Sequence, residues 1–320
     1  MIKRDLRSMN DLDREDLEYL FALTVEMKET PEKFRACLQG KTMVMINEKQ
    51  SLRTKVTFET GIHQLGGYSV YLTNQDISLG IREPVKDIAR NLSRWVDLIV
   101  ARVYLQATID ELARYAAIPV INALSDEGHP CQVITDLFTI WDQILHRQSL
   151  NGSVCRRFNG FNLTYIGDGN NVCNSLVLIA GLLGFHLIVC TPAGYEPDHV
   201  FLQQGRERSH DVGGAVTFET DPDKAVAVAD AIYTDVWTSM GQEDEAEERK
   251  EVFAPYQVNE SLLERAPDHA VVMHCLPAHR GEEITDEVME SPRSIVFDQA
   301  ENRLHGQKAI MKFLLDSCEP

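Results

Sequence analysis

Cysteine is scarce and unpatterned in this chain. The seven residues, at positions 37, 131, 155, 173, 190, 275 and 318, make no CxxC pair, and no His-x-x-x-His spacing accompanies them. An odd, scattered set argues against a disulfide scaffold and a structural zinc site, so no metal is expected. Long apolar runs are missing too: none reaches the about 18 residues that a membrane-spanning helix needs. The opening MIKRDLRSMNDLDREDLEYL is too charged and too acidic for a signal or transit peptide. Together these absences predict a cytoplasmic chain in a reducing compartment, with no membrane partner. Cations are short as well, 31 Lys and Arg against 49 Asp and Glu, which leaves a formal net charge of -18 and a pI near 4.9. Nucleic acid and anionic membranes both reward a basic surface, so neither is an expected partner. An anionic substrate would need a local basic pocket within that repelling field, which directs attention to Arg53, Arg102 and Arg303.

At 320 residues with 44 % hydrophobic content, the chain can bury a large core, and its length predicts about two domains. Apolar bursts alternate with stretches of helical period, the pattern of repeated βα units on a parallel sheet. The predicted class is therefore α/β, with two domains, each a central parallel sheet flanked by helices. The first domain is expected over residues 1–145, with strands at Thr42–Ile46, Ser69–Leu72, Leu98–Ala101 and Val120–Ile121. Helices are expected between them near Leu52–Leu65, Val85–Arg94 and Ile109–Tyr115, and a long one over Cys131–Leu145 carries the chain onward. The second domain, residues 146–299, has expected strands at Leu163–Ile166, Leu187–Cys190, Ala229–Tyr233 and Ala270–Met273. A last helix near Ala300–Leu315 has no strand after it and is expected to pack back on the first domain. Arg147–Gly160 lacks a clear period and reads as an exposed excursion at the junction. The run Glu243–Glu251 reads as a solvated helix with opposite charges at helical spacing.

Four motifs follow predicted strands. Ser51-Leu52-Arg53-Thr54 opens a helix, and a helix N-terminus with two hydroxyls and a guanidinium in one turn can seat a phosphate. An ordinary Ser N-cap explains the same residues without a ligand. Gly167-Asp168-Gly169-Asn170-Asn171 turns into a helix, but it lacks the third glycine of a dinucleotide fingerprint. The following strand ends in Cys190-Thr191-Pro192, with no acid to hold a ribose, which disfavours NAD. The two adjacent amides suit a small polar ligand, or simply a loop. His129-Pro130-Cys131-Gln132 places an imidazole and an amide one turn apart, where they could share a carbonyl oxygen. His274-Cys275-Leu276-Pro277 looks like a nucleophile site, yet the sequence offers it no dedicated base and orienter, so a ligand-contacting or merely buried Cys is expected.

The order and company of these motifs are more specific than any one of them. SLRT, Arg102 in ARVY, HPCQ, GDGNN, DVWTSMGQE, HCLP and AENR together closely resemble the transcarbamylases, and within them the ornithine-specific branch. The resemblance runs from about Arg4 to the final helix. It implies that the first domain binds carbamoyl phosphate and the second the amino acid. It also implies a homotrimer whose neighbouring subunits share the site, with assembly beyond the trimer left open. Ser51, Leu52, Arg53, Thr54 and Arg102 would hold the phosphate, while Arg53, Thr54, His129 and Gln132 would polarise the carbamoyl group. Asn171, Asp235, Ser239 and Met240 would bind ornithine, with the SMG turn as a closing loop. Cys275 and Leu276 would lie where the carbamoyl group meets the reacting amine, with Arg303 beside the carbamoyl group. No metal or organic cofactor is implied.

The chain departs from the family pattern at three places, all of which bear on carbamoyl-phosphate affinity. Leu52 stands where Thr is usual, a change also seen among transcarbamylases for acylated ornithine. Lys55 replaces the second arginine of the motif and cannot form a bidentate fork. Ser78 occupies the place of the Gln or His that reaches the adjacent subunit's phosphate. Three readings stand at this point: an ornithine enzyme making citrulline for arginine metabolism, a transcarbamylase for another amine such as putrescine, and a binding or regulatory homologue. SMG with HCLP favours ornithine over aspartate or an N-acylated ornithine.

Overall fold

The computed structural model describes residues 3–145, 153–209, 213–239 and 243–317. Two compact units divide the chain, Met1–Phe138 with Asn302–Pro320 forming one and Thr139–Glu301 the other.

In the first unit, α1 (Arg14–Glu29) precedes β1 (Thr42–Asn47), α2 (Leu52–Gln64), β2 (Tyr68–Thr73) and the single turn α3 (Asn74–Ile77). Then come α4 (Val85–Trp95), β3 (Leu98–Arg102), α5 (Gln106–Tyr115), β4 (Val120–Leu124) and α6 (Pro130–Ile140). The strands are all parallel, in the order β2-β1-β3-β4. Strands β1, β3 and β4 are buried on both faces, which is why they read as unbroken apolar runs, whereas the edge strand β2 keeps Tyr68 and Val70 exposed. Chain order reverses between β1 and β3, so the crevice at their carboxyl ends is where a ligand is expected to bind in such a sheet.

The second unit runs from a π-helical turn at Trp141–Leu145 through α7 (Val154–Arg157), β5 (Asn162–Ile166), α8 (Asn171–Leu183), β6 (His186–Cys190) and α9 (His199–Ser209). It continues with β7 (Ala215–Glu219), α10 (Pro222–Val226), β8 (Ala231–Thr234), α11 (Ala246–Phe253), α12 (Glu260–Leu263), β9 (Val271–His274) and α13 (Asp286–Met289). Its parallel sheet has the order β7-β6-β5-β8-β9, with the reversal between β5 and β8. The last helix, α14 (Val296–Asp316), begins earlier than the sequence pattern indicates. The unit boundaries fall inside α6 and α14, so these two helices carry the chain between units.

Within the first unit, the C-terminal part of α14 packs Phe313 against Tyr19 (centroids 5.8 Å apart) and beneath the Arg4 guanidinium. These contacts place that part of α14 against α1 and the N-terminal segment. Residues 147–152 of the expected junction excursion, like Met240, lie outside the described residues.

The two sheets share one detail at their amino ends. In the first, Asp97 Oδ2 accepts the Thr42 N–H (2.8 Å) while its own N–H donates to the Thr42 carbonyl (2.9 Å). In the second, Asp230 makes the same pair of contacts with Asn162, at 2.7 and 2.9 Å. Each aspartate immediately precedes or nearly precedes the strand across the reversal, so both strand pairs flanking a reversal are pinned at the end away from the ligand crevice.

Candidate active site

The crevice of the first sheet is built from α2 outward. Ser51 is extended (φ -159, ψ 122), and its Oγ accepts the Thr54 N–H at 3.1 Å, so it is indeed the helix N-cap. The other N–H groups of this turn have no acceptor inside the helix, and the turn contains no acidic side chain. It therefore presents the positive end of the helix dipole. Arg102 comes to the same place from the carboxyl end of β3, where its carbonyl accepts the Glu48 N–H at 2.9 Å.

His129 follows β4 and starts α6, its carbonyl accepting the Gln132 and Val133 N–H groups at 3.0 and 3.2 Å. Its imidazole is held well below the ordinary histidine value, first by burial and then by the fields of Arg303, Arg102 and Arg53. The fields of the same three arginines that the acidic composition made conspicuous thus all act on one uncharged ring. Burial pushes the adjacent Cys131 thiol up to about 12, which leaves it inert.

Arg303 is 2 % exposed. It donates to Gln132 Oε1 and, at 3.4 Å, to Thr54 Oγ1. With the Gln307 amide turned to satisfy both of its neighbours, the Gln307 oxygen accepts from Arg303 Nη2 and Nε at 2.7 and 3.0 Å. Gln132 in turn donates to Asp136 at 2.7 Å. Gln307 and Asp136 carry no motif signal, and only the packing of α14 against α2 and α6 reveals them.

The three departures from the family pattern have different fates. Leu52 is 71 % exposed. The Lys55 ammonium sits 3.6 Å from the centre of the Tyr71 ring on β2, a cation–π contact in place of a guanidinium fork. Ser78 ends α3 in the left-handed region (φ 44), and its hydroxyl donates back to the Asn74 carbonyl at 3.3 Å.

The second sheet's crevice gathers loops from β5, β8 and β9. Gly169 must be glycine, because a Cβ there would fall 2.3 Å from the Pro197 nitrogen. Asn170 caps α8, its Oδ1 accepting the Val172 and Cys173 N–H groups at 2.9 and 3.1 Å, while its Nδ2 donates to Asp235 Oδ2 at 2.8 Å. Asp235, just past β8, also accepts the Val236 N–H (2.9 Å) and the Cys275 thiol (2.8 Å) on Oδ1. Asn171 is the first residue of α8, and Ser239 is half-buried beyond Asp235.

His274 does not serve Cys275 as a base. Its Nδ1 accepts the Leu276 N–H (2.8 Å), which places the ring proton on Nε2 against Glu283 Oε1 (3.0 Å). The ring instead holds Leu276 in its left-handed conformation (φ 59). One ligand atom each from Asp235, His274 and Cys275 lies within 4.8 Å of the others, but in this arrangement they are occupied by hydrogen bonds to one another and to their neighbours. Arg249 corrects the picture of a fully solvated acidic helix. It is buried, bridging Asp168 Oδ2 (3.1 Å), Glu245 Oε2 (2.9 Å) and the Trp237 carbonyl (3.0 Å), with its guanidinium 5.1 Å from the centre of the Tyr195 ring.

Two family descriptions match the two halves of this arrangement. Residues 4–142 match the carbamoyl-P binding domain of aspartate/ornithine carbamoyltransferase, and residues 159–314 match its Asp/Orn binding domain. The chain belongs to the aspartate/ornithine carbamoyltransferase family. Among similar carbamoyltransferases, the ornithine carbamoyltransferase of Thermococcus kodakarensis is 48 % identical over 315 residues, spanning 98 % of this chain and 96 % of that one. The ornithine carbamoyltransferase of Archaeoglobus fulgidus is 48 % identical over 316 residues, spanning 98 % and 97 %. The solved ornithine carbamoyltransferase of Pyrococcus furiosus superposes with a TM-score of 0.91 at 43 % identity, each chain covered in full. That from Gloeobacter violaceus superposes at 0.85 and 42 %, covering 98 % of this chain and 99 % of that one. Carbamoyltransferases thus share the parallel sheets described above. Among the described residues, no helix is long and apolar enough to cross a membrane.

Proposed function

We propose that the chain transfers the carbamoyl group of carbamoyl phosphate to the δ-amine of L-ornithine, giving L-citrulline and phosphate in arginine metabolism. The observation that carries the reading is the acid-free α2 N-terminus, where Arg303 donates to Thr54 and Gln132, close to a buried His129 whose imidazole is held neutral by burial and by the fields of Arg303, Arg102 and Arg53. Residues 1–145, with residues 300–320, form the carbamoyl-phosphate domain, and residues 146–299 the ornithine domain. Ser51, Leu52, Arg53, Thr54 and Arg102 hold the phosphate. Arg53, Thr54, His129, Gln132 and Arg303 face the carbamoyl oxygen. Attack by the neutral amine forms the C–N bond, moves charge onto that oxygen, and then breaks the C–O bond to phosphate. The amine loses one proton in the process. Donors fixed at the oxygen favour the transition state over the ground state, typically by about 3 kcal/mol each.

Asn171, Asp235, Ser239 and Met240 bind ornithine, the Asp235 carboxylate receiving an ammonium, with Cys275 and Leu276 beside the reacting amine. The enzyme needs no metal or organic cofactor, works in the cytoplasm and assembles as a homotrimer in which Ser78 stands at the boundary with the neighbouring subunit's site.

Two measurements test this reading. Citrulline and phosphate are assayed from carbamoyl phosphate with ornithine, putrescine, aspartate or N-acetylornithine, from pH 6 to pH 9. Citrulline should form from ornithine alone. Below the amine's pKa of about 10.4, kcat/KM for ornithine should rise roughly tenfold per pH unit as the neutral amine becomes available. Turnover only with another amine, or with none, rejects the assignment. Second, Ser78→Gln should lower the KM for carbamoyl phosphate by adding a donor across the subunit boundary; an unchanged KM removes Ser78 from the site.

A further inference from the structure

The two adjacent amides at the end of β5 do different work, and the first of them is turned toward protein. Both helix-cap N–H groups, from Val172 and Cys173, point at Asn170 Oδ1, and the Tyr165 hydroxyl lies 3.3 Å from the same oxygen. Turning the amide over would set its NH2 against two backbone N–H donors. The helix cap therefore fixes the amide, and Nδ2 faces Asp235 Oδ2 at 2.8 Å. On the other carboxylate oxygen, Oδ1 takes the Val236 N–H and the Cys275 thiol. Those donors come from three strand ends, after β5, β8 and β9. An ionised carboxylate offers about four lone-pair sites, so three donors leave one, on Oδ2 beside the Asn170 contact.

We infer that Asn170 is a positioning residue: through the cap of α8 it fixes the plane of the Asp235 carboxylate, so that the remaining Oδ2 lone pair is aimed at the incoming ornithine ammonium. This rests on the assignment of Asp235 to ornithine. Asn170 itself binds no substrate in this arrangement.

Serine and aspartate are both good N-caps, so Asn170→Ser and Asn170→Asp keep the start of α8 while changing what faces Asp235. Both should melt near the parent temperature. Asn170→Ser should raise the KM for ornithine about tenfold with little change in the KM for carbamoyl phosphate, since a hydrogen bond to a charged group is lost. Asn170→Asp should lose more, because two carboxylates at that separation cannot both stay ionised and in place. A parental ornithine KM in both variants makes Asn170 a helix cap and nothing more. Asp235→Asn, measured alongside, separates the two levels: if it leaves the ornithine KM unchanged, the ornithine assignment itself fails. If Asp235→Asn raises that KM and the Asn170 variants do not, only the positioning role fails. The double variant Asn170→Ser/Asp235→Asn should match Asp235→Asn alone, whereas additive losses would mean that Asn170 does not act through the carboxylate.

Discussion

Arg53→Ala should lower kcat/KM for carbamoyl phosphate by at least about 10³-fold, because in the proposed mechanism the side chain would serve the phosphate and the carbamoyl oxygen at once, and one lost oxyanion donor alone costs about 10²–10³. The fold should not register the change. Arg53 is half-buried in the first turn of α2, whose cap is made by Ser51 and whose packing face is formed by Thr54, Phe58, Gly61 and Ile62. Thermal melting should therefore match the parent while turnover is abolished. Arg53→Lys should recover part of the activity, since the charge returns without the planar fork. Near-parental activity in the alanine variant would remove the phosphate seat from the α2 N-terminus.

His129→Ala should reduce kcat by about 10²–10³ and leave the KM for carbamoyl phosphate nearly unchanged, the mark of a donor that matters in the transition state. Because burial and three guanidinium groups depress its pKa, the ring is neutral throughout the working range and contributes no limb to the rate profile. The same depression has a signed effect on stability. Below the ordinary imidazole value of about 6.5, the unfolded chain takes up a proton that folded His129 refuses, so the folded state loses stability as pH falls. His129→Ala removes that component. The variant should be less stable at neutral pH through lost packing, yet lose less on acidification, as read from melting temperatures at pH 7.5 and 5.5. An equal acid-induced loss in both proteins would contradict a neutral His129.

Much of this was legible in the sequence because the signals are local. The SLRT turn, the HPCQ helix start and the GDGNN cap each lie within a few residues of the strand that positions them. Buried parallel strands announced themselves as apolar runs. The edge strand β7 did not, since its burial is partial and its residues Ala215–Glu219 sit between glycines and a turn. Helix α5 starts at Gln106, ahead of its apolar period, because Asp126, twenty residues on, accepts the Gln106 N–H. Distance along the chain likewise hid contacts within the candidate site. Asn170 and Asp235 are 65 positions apart, and Arg303 reaches Gln132 across 171. Glu283 is close to His274 in sequence but shares no period with it, and nothing short of the folded loop indicates that it fixes the ring's tautomer. Arg249 was masked by its company: a cation within an acidic run looks solvated until Asp168 and Tyr195 fold over it.

The paired aspartates Asp97 and Asp230 separate what each sheet can tolerate from what it can learn. With the strand register clamped at the amino ends, a loop at the carboxyl ends can be lengthened, shortened or swapped without letting the strands slip, since a slip would first have to break those clamps. If the proposed ornithine site holds, an engineer wanting a new acceptor amine would then rewrite the β5, β8 and β9 loops and leave the clamps untouched. One wanting a hardier protein would work at the opposite rim, where changes leave the carboxyl-end loops alone.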